Sequence, residues 1–178
     1  VESRGLGDVY KRQVSDVHKA RRIGKDPFIW HLREEHKEVV LAELEHIYGS
    51  TNDALPFEYR IYEIAERIAE DFYEEAVDEV IEEAANSFLE DLDGDAVAVR
   101  VREMLVQSVS YTILKRCGCD MTEFADDLTF DYIHEFNTLR TLSVLGSTTS
   151  ELCEPVLIRI GRTIARYDRA LLQNRRYT

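Results

Sequence analysis

The sequence predicts an all-α fold, an antiparallel bundle of about five helices with a buried helix near 97–116 at its centre. Three observations lead there. The 178 residues include only 8 Gly and 3 Pro, so few positions interrupt a helix. Apolar residues recur at steps of three and four, with no stretch of strict alternation. In Val97–Arg116, finally, Val101, Met104, Leu105, Val106, Val109, Tyr111, Ile113 and Leu114 cover most of the circumference. A helix that is apolar all round belongs inside.

Residues 3–13, "SRGLGDVYKRQ", read as the in-frame translation of a transposon-type sequencing adapter. Val1–Gln13 are therefore set aside as an artefact of a metagenomic gene fragment, with the native N-terminus expected to be missing. The rest divides into a helical appendage over 14–50 and a helical domain over 56–176.

The first helix is expected over 27–48. Asp26 suits the N-cap, Pro27 the first helical position and Gly49 the C-terminal cap. Phe28, Leu32, Val39, Val40, Leu44 and Ile47 form its buried face. A second helix is expected from Pro56 to Leu89, on a stripe of Ile61, Ile64, Ile68, Phe72, Ala76, Val80, Ala84 and Phe88, widened by Ala65, Val77 and Ile81. So long a helix invites a bend. "DLDGD" (91–95) ends it and is too short for a calcium loop. The central helix follows and stops at Gly118. A short helix is expected over Phe130–Leu139. Gly146 and "STTS" then lead into the last helix, with Thr148 and Glu151 as a capping box and Pro155 near its start.

Charge is concentrated. Between Glu58 and Asp95, fifteen Asp and Glu face only Arg60 and Arg67, a net of −13 that equals the charge of the whole chain. Such a surface repels nucleic acid, whose binding rests on cationic contacts to phosphate. It suits a basic protein partner; the plainer alternative is a solvated helix face. No apolar run is long enough to span a membrane. Three cysteines give no disulfide framework and no four-thiolate zinc site, which favours a reducing cytoplasm.

One segment carries a family likeness. "REMLVQSVSYTILKRCGCDMTEF" (102–124) followed by "DLTFDYI" (127–133) resembles the C-terminal part of the zincin-like metallopeptidase domain in ArdC-type and LtrC-type proteins of mobile genetic elements. Arg102-Glu103, Ser108-Val109, Tyr111-Thr112, Gly118, Asp120, Phe130 and Tyr132-Ile133 match in order. The resemblance implies an H-E-x-x-H helix about twenty residues upstream, whose histidines one turn apart hold zinc while the glutamate activates its water. Laid on this chain, the two histidine positions hold Glu82 and Asn86, and the third ligand position holds Gln107. Only Glu83, the general-base position, keeps its identity. Amides are weak zinc ligands beside imidazole and carboxylate. The expectation is thus a degenerate site, no cofactor, and a non-catalytic relative acting in binding or assembly.

Plainer readings stand beside it. Glu82 and Asn86 fall opposite the apolar stripe, with Asp78, Glu79 and Glu90, as solvated surface would. Gln107 reads equally as a buried amide bonded to a neighbour. An enzyme alternative is a metal-dependent hydrolase built on Glu82 and Glu83, joined by Glu79 or His134. A further one is an acidic DNA mimic of antirestriction type. His134-Glu135 lacks its second histidine, because Thr138 stands there. His31, His36 and His46 make no pair one turn apart, and each is expected on a partly exposed helix surface. Cys117 and Cys119 have no evident base to activate them.

Overall fold

The computed structural model describes residues 29–122, 124 and 127–174, the last without its side chain. The adapter-like segment, the cap positions Asp26 and Pro27, Phe28, and the basic end 175–178 lie outside the described residues. Among the described residues five α-helices form the bundle: α1 (Glu34–Tyr48), α2 (Phe57–Glu70), α3 (Tyr73–Glu82), α4 (Gly94–Cys117) and α5 (Leu139–Asn174). No strand occurs among the described residues.

The centre is α4, which packs against α2, α3 and α5. Asp93 caps its start by accepting a hydrogen bond from the Ala96 amide at 2.8 Å. Val97, Val101, Met104, Leu105, Val109, Ile113 and Leu114 are all at most 1 % exposed. Tyr111 is the exception to the expected coat, at 43 % exposed. Gly118 ends the helix at φ +76°, as expected. The Gly118 and Cys119 amides donate back to Lys115 and Leu114, a Schellman closure. The next carbonyls, of Arg116 and Cys117, accept from the Trp30 and Leu32 amides, both at 3.0 Å. The 29–33 segment, which turns at His31 with φ +49°, thus satisfies carbonyls that a helix end leaves open. A Cβ on Gly118 would lie 3.0 Å from the His31 Cα, so close approach and φ both call for glycine.

The first helix begins later than the spacing predicts, at Glu34 behind Arg33. The preceding residues are spent on capping α4. Its Val40, Leu41 and Leu44 enter the common core, with α1 packed on α2 and α5. Ile47, expected inside, is exposed.

The expected 56–89 helix is three pieces. It breaks at Asp71–Phe72, where Phe72 takes φ −132° and ψ −7°. A second ending comes at Glu83, after which 84–93 run as turns. Unbroken, the helix would measure about 50 Å against about 36 Å for α4. The breaks keep both α2 and α3 seated on α4. They also remove Phe72 and Phe88 from the stripe, leaving them 51 % and 64 % exposed, with Ile81 at 46 %. Leu89, 1 % exposed, fills the core in place of Phe88.

The short helix expected at 130–139 is a single 3-10 turn, Ile133–Glu135. The last helix starts at Leu139 rather than after Gly146, and runs 36 residues through Pro155. "STTS" stays helical, and Ser147, Thr149 and Ser150 each donate a side-chain hydrogen bond to the carbonyl four residues back, at 2.7–2.9 Å, instead of capping. Thr148 and Glu151 therefore sit mid-helix and form no capping box.

Candidate functional site

The positions implied by the zincin resemblance do not assemble into a site. Glu82 is the last residue of α3, and Glu83 and Asn86 lie beyond it. Positions 82 and 86 consequently share no helix face. Glu82 and Asn86 are exposed. Asn86 adopts φ +65°, a conformation suited to a turn, and its amide donates to Glu90 at 2.7 Å. Glu83 pairs with Arg140 at 3.2 Å. Gln107 is 3 % exposed inside α4. Its amide nitrogen donates to Glu103 at 3.2 Å, and its oxygen accepts from the Phe130 backbone at 2.6 Å. That is the buried, bonded amide of the plainer reading. His134 is exposed in the 3-10 turn, and Glu135 is engaged by Arg100. Among the described residues, no three His, Cys, Asp or Glu side chains converge as a metal site requires.

A different feature stands out on α3. Tyr73–Glu82 carries Glu74, Glu75, Asp78, Glu79 and Glu82, all exposed and without a base in the helix. Two neighbouring carboxylates are engaged, Glu70 with Arg102 at 2.6 Å and Glu83 with Arg140. None of the α3 carboxylates has a cationic side chain within ion-pair distance among the described residues.

Between α3 and α5, closed at one end by α1 and α2, lies a groove of about 400 Å³. Its apolar walls are Tyr48, Ile68, Phe72, Leu152 and Pro155; its carboxylates are Glu75, Glu79 and Glu151. It has no basic lining residue. The break at residues 71–72 is what turns Phe72 into this wall. Arg159, the cation felt by Tyr48, is held by Glu43 at 3.3 Å.

One further cluster was not visible in sequence. His36, expected on the surface, is 4 % exposed. Its Nδ1 faces the Arg33 amide at 3.4 Å and its Nε2 lies 3.0 Å from Asp168, 132 residues away. The His36 hydrogen bond, helped by Arg33, holds the Asp168 carboxyl below its usual range. Nothing local in the sequence signals that pairing, which pins α1 to α5. The three free thiols are each buried or partly buried. Burial raises the Cys117 thiol far above its ordinary value, and pushes Cys119 and Cys153 up to about 11. Such thiols are protonated at neutral pH and poor nucleophiles.

No family model, curated protein or solved structure matches the chain. The fold and its surface define a helical bundle that presents an acidic, partly apolar groove.

Proposed function

We propose that this chain is a non-catalytic helical protein of a bacterial mobile element, acting in binding or assembly in a reducing cytoplasm. On this reading it is a metal-free relative of zincin-like domains, and its acidic 58–95 region docks a basic protein partner. The observation that carries the binding role is α3, five exposed carboxylates with no counter-ion among the described residues. Like charges one turn apart cost a helix about 0.2–0.5 kcal/mol per pair. An incoming cationic surface relieves that repulsion and gains long-range attraction. The residue order over 102–133 supports the zincin ancestry, and three free thiols suit the compartment.

The test is fluorescence anisotropy with a labelled Lys/Arg-rich peptide, run across a salt series. Saturable binding should weaken as salt rises, and the double variant Asp78→Lys, Glu82→Lys should weaken it about tenfold or more. Binding indifferent to charge reversal would remove the proposal. Dialysis against zinc is the second arm: one tightly held ion per chain would overturn the metal-free reading.

A further inference from the structure

We infer that the groove between α3 and α5 is the anchor pocket for an amphipathic basic helix of the partner. It would seat an apolar side chain against Phe72 and Leu152 while Lys or Arg neighbours meet Glu75, Glu79 and Glu151. This rests on the proposed acidic docking face and adds where the partner is gripped and what sequence pattern it carries.

Three independent features agree. The first is volume. About 400 Å³ falls within the range of sites that hold compact ligands or a few side chains. The second is charge. Three carboxylates line the groove with no basic residue among them. An aromatic ring that is 51 % exposed stands beside them, and such a ring attracts a cation as well as an apolar group. The third is a backbone acceptor. Pro155 has no N–H, so the Glu151 carbonyl, four residues earlier in α5, lacks its intrahelical donor. Both residues line the groove. A Lys or Arg side chain that reached Glu151 would supply that donor.

Together these select the occupant. A purely polybasic chain would satisfy the carboxylates and leave Phe72 in water. A purely apolar helix would desolvate three carboxylates without a partner, which is costly. A helix with apolar residues three and four apart, flanked by Lys or Arg, satisfies both.

The experiment compares two peptides of identical charge on the full chain. One bears Leu and Phe at helical spacing among its lysines and arginines; the other has those apolar residues replaced by Ala. The first should bind about tenfold tighter, as burial of a large apolar side chain predicts. Phe72→Ala should abolish the difference and leave the weaker peptide unaffected. Ser147→Trp, which fills the groove from its α5 wall, should do the same; circular dichroism of both variants controls for folding. Equal affinity for the two peptides, with salt-sensitive binding retained, overturns the anchor pocket while the acidic-face reading survives. Loss of binding by both peptides on the parent chain overturns that reading as well. Spermine competing as well as the apolar-bearing peptide would overturn the peptide-helix assignment in favour of a small-cation site. Sedimentation showing a dimer that Phe72→Ala dissolves would assign the groove to a second copy and overturn it equally.

Discussion

Helices α3 and α4 pack against each other, yet they use their residues in opposite ways. On α4 most sides turn to a neighbour, and its two buried polar residues are bonded: Ser110 Oγ to the Val106 carbonyl at 2.7 Å, Gln107 to Phe130 and Glu103. On α3 only Ala76, Val77 and Val80 are buried, and the remaining surface is mostly carboxylate. The one helix exists to fill a core; the other touches that core with three small side chains and spends the rest on charge. A domain that needed α3 only for stability would gain by pairing or deleting those charges. The contrast places structural duty on α4, and an external role for α3 is the proposal that the following variants test.

The largest effect that tests this is Leu105→Ala. Leu105 is 0 % exposed at the middle of α4. Its truncation should cost about 2–5 kcal/mol from lost burial plus the cavity left behind, read as a drop in the urea midpoint at constant slope. A loss below about 1 kcal/mol would mean that α4 is not the structural centre.

Next in size is Gln107→Ala. The side-chain oxygen accepts from the Phe130 backbone N–H at 2.6 Å, where Phe130 sits at φ +50°. Removing it should cost about 1–3 kcal/mol. Faster hydrogen exchange at Phe130 and its neighbours should accompany the loss. A destabilised variant whose Phe130 amide stays protected would assign the penalty to packing alone.

How much of this was legible follows from where each element's determinants lie. The centre and its ends were readable because they are local: an all-round apolar segment, and Gly118 just past it. The length of the 56–89 stripe invited a bend, but the positions of the breaks at residues 71–72 and at 83 were not readable. No Gly or Pro marks either point, and the periodicity runs straight through both. They follow from the length of α4, a tertiary quantity. The late start of α1 has the same origin, since 29–33 is held by carbonyls of α4. "STTS" misled for a different reason. Hydroxyls that favour turns and caps can also fold back onto a helix carbonyl, and the sequence does not distinguish the two. The acidic face was legible as composition; the groove beside it was not, because Tyr48, Phe72 and Leu152 come from three separate helices or their junctions.

The smallest expected effect is also the one that reverses the usual sign. Glu82 closes α3, whose last turn holds no basic residue. A negative charge there opposes the helix dipole, and Asp78 lies four residues before it on the same face. Glu82→Lys removes one repulsion, sets an ammonium one turn after the Asp78 carboxylate and complements the helix end. The variant should be more stable by about 0.5–1 kcal/mol at low ionic strength, and the gain should shrink as salt screens it. A matched loss of affinity for the basic peptide would mean that the carboxylate is kept for contact at a cost in stability, the trade expected of a binding surface. If Glu82→Lys instead destabilised the fold, the acidic face would have a structural role that its exposure conceals, and the division between α3 and α4 would fail at that residue.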